Sequence, residues 1–343
     1  MSMKILKRVL VFLFVSLPFG IPLSSEGREK ARYTQMEEIG MAVEFMDHAA
    51  CAYLARDKGW FAKEGLTLSA YESYVTGMAL AAALARGDIQ VAYICLVPAI
   101  NAYANASVPI KIVAGTHRYG YGLVVNPEKI KTINDLENPG IRVGCVREGG
   151  AVDVILHKAI DKYGLDKGKI LVKVQRMNPS KQVLSLKTGQ LDAAFLPEQW
   201  ATMTEEFGFK IFLTSRDIWP QMQGSVLVVK EELLKNDPEI VRRLVKVTQK
   251  ATDWINQHPG EAANITARQL SVTGEKILPA KVAKVAAKIE ITPEVLLRSM
   301  GRLEYITSIN PGKVKEIIDY IQHLGYIKKA FKAEDILDLR FLR

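Results

Sequence analysis

From Glu38 onward the chain alternates short apolar runs with longer stretches whose apolar residues recur every three or four positions. "EIGMAVEFM" (Glu38–Met46), "LTLSAY" (Leu66–Tyr71), "IQVAYICLV" and "PIKIVAGT" are short, apolar or alternating, and predict strands. "IQVAYICLV" is apolar at nearly every position, as expected of a strand covered on both faces. The stretches between them predict helices. "HAACAYLARDKGWFAKEG" stops at Gly59 or Gly65, the alanine-rich Thr76–Gly87 ends on Gly87 as a left-handed cap, and "PAINAYANAS" is shorter. Strand and helix in alternation imply parallel pairing with right-handed crossovers, and so an α/β fold.

The series then restarts. "YGLVVN", "GIRVGCV" (Gly140–Val146), "ILVKVQRM", "LDAAFL" and "FKIFLT" predict strands. "TINDLEN", "GAVDVILHKAIDKYG" (Gly150–Gly164), "PSKQVLSLKTG" and "PEQWATMTEEFG" predict the helical segments among them. Two stretches in the two series echo each other. "LARGDIQVAYI" (Leu84–Ile94) matches "LKTGQLDAAFL" (Leu186–Leu196) at an offset of 102, aligning Gly87 with Gly189 and Ala92 with Ala194. At an offset of 104, Leu227-Val228-Val229 matches Leu123-Val124-Val125. The repeated helix–glycine–strand unit predicts two similar α/β lobes, with glycine at each stop because it accepts positive φ.

After Glu231 the pattern is helical. "NDPEIVRRLVKVTQKATDWINQHPG" takes Asn236 as N-cap and Pro238 in its first turn, and carries one apolar stripe through Ile240, Leu244, Val247, Ala251 and Trp254. "PGEAANITARQL", "TPEVLLRSMGRLEYI" and "GKVKEIIDYIQHLG" follow as further amphipathic helices, expected to pack on the first lobe.

The first thirty residues do not fit either pattern. Lys4, Lys7 and Arg8 precede the apolar "VLVFLFVSLPFG" and the small polar exit Ser24-Ser25, the form of a secretion signal cleaved between Ser24 and Arg32. No cysteine follows the apolar run, so no lipid anchor is expected. Removing the signal lowers the formal charge from +9 to about +6. The cations are scattered rather than grouped with aromatics, which argues against a nucleic-acid partner. Cys51, Cys95 and Cys145 form an odd set without a C-x-x-C pair, so zinc-finger and thioredoxin chemistry are excluded and at most one disulfide can form.

Several stretches together resemble a known family. They are "YLARDKGWFAKEGLTLSAY" (Tyr53–Tyr71), "ALARGDIQVAY", "PIKIVA", "LVVNPEKIKTINDLENPGIRVG", "LKTGQLDAAFLPEQW" and "LVVKEELLKNDPEIVRRLVKVTQKATDWINQHPGEAA". In order and spacing the chain is similar to the solute-binding proteins of ABC importers for nitrate, sulfonates, taurine and thiamine-type pyrimidines. The resemblance implies a two-lobed type II periplasmic-binding-protein fold. Lobe one would hold 35–119 plus 224–343, and lobe two 120–223. Each lobe would be a mainly parallel sheet flanked by helices, with the extra C-terminal helices on lobe one. Crossings near Tyr119–Gly122 and Met222–Ser225 would form the hinge.

In open α/β sheets ligands bind beyond the carboxyl ends of the strands. That rule selects Phe45, Met46 and His48 after the first strand, and Tyr74, Thr76 and Gly77 after the second. It selects Cys95 and Leu96 after the third, and His117, Arg118 and Tyr119 after the fourth. In the second lobe it selects Glu148, Gly149 and Gly150, then Pro197 and Glu198, then Trp219. "REGGAVDV" opens a helix with two glycines, either an anion-binding backbone or a plain tight turn. Many relatives place a hydroxyl there, which this chain lacks. Arg118 and His117 suit a carboxylate or sulfonate, or form a solvated pair beside the hinge. Glu198 suits a cation or amine, or simply complements its helix dipole. Tyr74, Tyr119, Phe45 and Trp219 are candidate aromatic walls.

The expected function is capture of a small organic or anionic solute and delivery to an ABC permease with its cytoplasmic ATPase, by a monomer outside the cytoplasmic membrane. No cofactor or resident metal is expected. Alternatives stay open. Met46, His48, Cys51, Cys95, Cys145 and Met177 all fall near strand ends or helix starts, which suits a soft metal or a metal chelate. A sensor domain would use the same cleft. A pyrimidine-synthase-like enzyme is the remaining alternative, but the "CCCFC" run of such relatives is absent, as are G-x-S-x-G, H-E-x-x-H and a phosphate-binding loop.

Overall fold

A computed structural model describes residues 37–87, 89–277 and 291–342. The expected secretion signal over 1–30, its cleavage region and the start of lobe one at Gln35 lie outside the described residues. Among the described residues the chain forms two sheets. The first runs in the order β11 (Glu304–Tyr305), β4 (Ile110–Arg118), β10 (Gln223–Lys230), β3 (Val91–Cys95), β1 (Glu37–Glu44), β2 (Leu66–Tyr74). The second runs β7 (Val174–Arg176), β6 (Val143–Cys145), β8 (Ala193–Pro197), β5 (Tyr121–Val125), β9 (Lys210–Thr214).

Strand β1 lies parallel to β2 and β3, and β6 lies parallel to β7 and β8. Strand β10 is antiparallel to β3 and β4, and β5 is antiparallel to β8 and β9. The short β11 also runs against β4. The sheets are therefore mixed, and in each the long reversed strand is the one that has just arrived from the other sheet. Setting aside β11, the two orders superimpose, with β3 matching β8 and β10 matching β5. Those are the pairs that carry the two sequence echoes. Gly87 and Gly189 both take positive φ, 94° and 69°, at the ends of the helices Gly77–Arg86 and Pro179–Lys187.

The chain changes sheets at two short crossings. Between β4 and β5 stand only Tyr119 (φ 67°) and Gly120 (φ 94°); before β10 stands Gln221 (φ 61°). The crossings lie side by side, with Tyr119 N–H donating to the Met222 carbonyl at 3.0 Å. The left-handed residues are thus Tyr119, Gly120 and Gln221, while Gly122 and Gly224 sit inside strands. Gly224 is needed for close approach instead. A Cβ there would lie 2.2 Å from His117 Cε1 and 2.8 Å from the Tyr119 carbonyl oxygen.

Several local expectations shift by a few residues. "ILVKVQRM" divides, because the Asp166 carboxylate caps Lys169 N–H at 3.1 Å and draws Ile170 and Leu171 into a helix, leaving only Val174–Arg176 to pair. The long helix Pro238–Gln257 is capped by Asp237, which accepts from Ile240 N–H at 3.3 Å, rather than by Asn236. Its buried stripe ends on Ile255, and Trp254 stays partly exposed, stacked 4.6 Å from the His258 ring. That stripe packs with Val91, Tyr93 and Val113 of the first sheet, where the Tyr93 hydroxyl meets Thr248 at 2.8 Å.

The C-terminal segment also makes contact with elements of the second sheet. After β11 the helix Pro311–His323 brings Tyr320 against Trp219, with ring centroids 5.2 Å apart, and Tyr320 Oη donates to Asp161 at 2.5 Å. Tyr326 then donates to Asp153, and the chain returns to the first sheet, where Leu337 bridges Ile112. Trp219 and Tyr320 are large aromatics that must bury against each other, and they stand on different sheets' connections.

Replacing Gly224 by Ala should destabilise the protein by roughly 1–3 kcal/mol, because the clash is partly with backbone. Thermal melting should show a clear fall, and a melt equal to wild type would contradict the close packing at the crossing.

Candidate functional site

A cavity of about 610 Å³ opens at the carboxyl ends of strands from both sheets. Its walls come from Glu44 and Met46 after β1, Thr76 and Gly77 after β2, and Cys95 and Pro98 after β3. From the second sheet come Val146, Arg147 and Gly150 after β6, Pro179 after β7 and Pro197 at the end of β8. Two helices extend it. Gly77–Arg86 offers Met78, Ala82 and Ala85, and Leu96–Ala106 offers Pro98, Asn101 and Asn105. Both sets follow helical spacing, so each helix turns one face to the cavity. The lining is mainly methyl, thioether and proline, with few polar groups.

The polar groups are clustered. Glu44 is fully buried. The Cys95 thiol donates to Glu44 Oε2 at 2.9 Å, while Glu44 Oε1 has no hydrogen-bond partner. The sulfur accepts from Tyr121 Oη at 3.1 Å and Ser225 Oγ at 3.5 Å. His48 Nδ1 lies 3.7 Å from the same sulfur, and His48 Nε2 donates to the Gly120 carbonyl at 2.8 Å. Burial pushes the Glu44 carboxyl up to about 7, against the hydrogen bonds from Cys95. Burial also lowers His48 well below its ordinary value, with His117 adding to the effect, and raises the Cys95 thiol well above its own, with the Glu44 charge adding. The wall thus holds a neutral imidazole and a protonated thiol at neutral pH, beside a carboxyl near its midpoint.

A second polar link stands in the cavity's wall. Asn101 Nδ2 donates to the Gly149 carbonyl at 2.9 Å, joining a helix of the first sheet to the loop after β6. Asn105 Nδ2 donates to Asn101 Oδ1 at 3.1 Å and to the Tyr326 carbonyl at 2.7 Å.

Of the residues selected from sequence, Met46, Thr76, Gly77, Cys95, Gly150 and Pro197 line the cavity. His48 stands one layer behind, against Cys95. The Thr76 hydroxyl is committed to capping Ala79 N–H at 3.3 Å. The others are placed elsewhere. Phe45 and Leu96 are buried in the core, Phe45 against Trp200. Tyr74 donates to Glu72, and Arg118 pairs with Glu304 at 3.0 Å across β4 and β11. His117 is buried beside His48, with ring centroids 4.3 Å apart, and Tyr119 lies beneath the Arg216 guanidinium. Glu148 is exposed and 3.7 Å from Arg176. Gly149 serves the Asn101 link, and Trp219 is packed on Tyr320. Sequence reasoning missed Glu44, Met78, Asn101, Asn105 and Tyr121. A signal for Glu44 was present: it is a lone carboxylate at the end of an otherwise apolar strand.

Glu198 stands at the junction of the sheets, outside the cavity. Its backbone N–H donates to the Gly120 carbonyl at 2.9 Å, and Arg302 lies 3.4 Å from its carboxyl. Arg302 also reaches Thr202 at 2.7 Å and Glu205 at 2.9 Å. Burial pushes Glu198 up to about 7; Arg302 opposes this and Asp47 reinforces it.

Residues 35–271 match the NMT1-like family, more than two thirds of the chain. The chain belongs to the NMT1-like family. A protein of Brucella abortus (strain 2308), named only as a binding protein, is 29% identical over 226 residues, covering 64% of this chain and 67% of that one. The taurine-binding periplasmic protein of Escherichia coli K12 is 23% identical over 215 residues, covering 62% and 65%. Among solved structures, the periplasmic nitrate-binding protein of Synechocystis PCC 6803 superimposes with a TM-score of 0.73 at 14% identity, covering 90% of this chain and 88% of that one. A ligand-binding component of an ABC-type import system from Staphylococcus aureus with zinc bound gives 0.72 at 17%, covering 89% and 97%. This member of the family has the periplasmic-binding-protein fold that the resemblance implied, and the α/β class that the alternation of strands and helices predicted.

Two variants test the site. A Cβ on Gly77 would lie 2.2 Å from Glu44 Oε1 and 2.7 Å from Pro98 Cγ. Gly77→Ala should therefore cost roughly 1–3 kcal/mol in a denaturant titration, and no loss would mean that the Glu44 wall yields freely. Glu198 rises from an ordinary 4.5 to about 7 on folding. The folded protein keeps that proton where the unfolded chain has lost it, so the stabilisation is whole below about 4.5 and lost as pH climbs to 7. Glu198→Gln should gain on the wild type between pH 5 and pH 8, by up to about 3 kcal/mol. An equal difference at both pH values would show that Glu198 does not titrate in this window.

Proposed function

We propose that this chain is the extracytoplasmic solute-binding component of an ABC importer, and that its solute is a small organic molecule with an apolar body. The observation that carries this reading is the cavity itself, built from strand ends of both sheets. A solute held there touches both halves, so it favours their closed arrangement, and the closed population reports occupancy. On this reading lobe one is 35–119 plus 224–343, lobe two is 120–223, and Tyr119, Gly120 and Gln221 absorb the movement between them. A permease with its cytoplasmic ATPase then takes the solute from a monomeric, exported carrier, and no bond is made or broken.

The lining narrows the solute. A volume near 610 Å³ is in the range of pockets for small organic ligands. Met46, Met78 and Ala82 suit a ring or an aliphatic chain. Arg147 and the start of the helix Ala151–Tyr163 suit an acid group at one end. A nitrate-sized anion would leave most of this apolar surface wet. The names of the taurine- and nitrate-binding relatives support the transport role, and the apolar walls favour a larger solute than nitrate.

Thermal-shift measurements on chelator-treated protein, with nitrate, sulfonates, pyrimidines and aromatic acids, decide the solute class. An organic acid with an apolar body should raise the melting temperature, by about 2.7 kcal/mol of stabilisation at a hundred times its Kd, and Met78→Glu should abolish the shift. A shift with nitrate alone, or conversion of any of these compounds, would overturn the reading.

A further inference from the structure

We propose that Glu44, His48 and Cys95 form a three-ligand site for a borderline-soft divalent cation of the zinc type, with a fourth position open to the cavity. The three residues come from the end of β1, the turn that follows it and the end of β3, and all are buried. One donor atom from each lies within 4.8 Å of the other two. Metal–ligand bonds of about 2.0–2.3 Å in a tetrahedron place ligands roughly 3.3–3.8 Å apart. The 3.7 Å from Cys95 Sγ to His48 Nδ1 already meets this, the 2.9 Å from Sγ to Glu44 Oε2 opens outward on loss of the thiol proton, and the Glu44 and His48 donors stand within 4.8 Å of each other.

The surroundings fit coordination. His48 Nε2 gives its proton to the Gly120 carbonyl, an acceptor only, so in the neutral ring Nδ1 carries the lone pair and faces the sulfur. Ligating histidines ordinarily donate their other nitrogen in this way. The Tyr121 and Ser225 hydroxyls donate to the Cys95 sulfur, the arrangement that steadies a thiolate. Glu44 Oε1 is a buried carboxyl oxygen without a partner, and Glu44 and Cys95 both border the cavity. A dication with one carboxylate, one thiolate and a neutral imidazole is uncharged as a unit, which removes the main cost of burying each ion separately. Binding sends the thiol proton, and the Glu44 proton where present, to solvent; no electron moves. The mixed S, N and O donors favour Zn²⁺ or Co²⁺ over Mg²⁺ and Ca²⁺. The open position would take water or a donor atom of a solute in the cavity.

This inference goes beyond solute capture, and its test uses metal alone. The purified protein, freed of metal by chelator, is titrated with Zn²⁺ against a chromophoric chelator and with Co²⁺ by absorption. The expected result is one equivalent of either ion, a thiolate-to-cobalt charge-transfer band, and no response to Mg²⁺ or Ca²⁺. Cys95→Ser should lose the band and weaken Zn²⁺ binding at least tenfold. Cys51→Ser, at a buried cysteine outside the cluster, should keep both. If Cys95→Ser fails to fold, Glu44→Gln, of nearly the same shape, should show the same loss of affinity. Binding of less than one equivalent in the wild type, or binding undiminished in the Cys95 and Glu44 variants, overturns the site. Neither result bears on the thermal-shift search for an organic solute.

Discussion

The cavity exists because the chain changes sheets twice within one small volume. At the first change Tyr119 and Gly120 turn the backbone through left-handed conformations, and at the second Gln221 does the same. A hydrogen bond from Tyr119 to Met222 ties the two crossings together. Each crossing delivers one strand that runs against its new neighbours, and each reversed strand lies next to the strand whose end forms the cavity wall. The two mixed sheets thereby bring the carboxyl ends of their parallel strands to one cavity. Non-glycine residues at positive φ cost energy, and here the packing of both sheets holds them in place.

The same arrangement makes the wall dry. His48, His117, Asp47 and Glu44 are all buried near the crossings, where water cannot solvate charge. Burial pushes Asp47 up to about 7 and His117 down to about 4, in both cases towards the neutral form. The junction is therefore a layer of nearly neutral polar groups. Such groups can exchange hydrogen-bond partners at modest electrostatic cost. At the edge of this layer Arg302 reaches in to Glu198 and out to Glu205, and on the second sheet Arg176 reaches Asp153.

The strands and most helices were legible along the chain because burial imposes period. "VAYIC" is covered on both faces and is apolar throughout; Thr76 and Gly87 bracket their helix as its chemistry requires. The two lobes were legible because a duplicated fold kept the same glycine stops and the same apolar triplet at equivalent strands. Element ends were less legible, because caps compete locally. Asp237 displaced Asn236, and Asp166 captured two apolar residues into a short helix. The strand-end rule selected several loops that border the cavity, and others, after β4 and at Trp219, that do not; it could not say which side chain on each loop faces the cavity. Thus Met46 faces it while Phe45, its neighbour, points into the core.

By itself the sequence determined the α/β class, the repeated helix–glycine–strand unit and several of the loops that border the cavity, since each follows from periodicity or local backbone chemistry. The tertiary structure decided the rest. It chose Glu44 over Glu198 as the cavity's carboxyl, set His48 and Cys95 within reach of it, and carried Tyr320 and Tyr326 across to the second sheet. Those outcomes depend on which residues, dozens of positions apart, meet when the strands are ordered and the crossings fix the angle between the halves. Spacing along the chain carries no record of that angle.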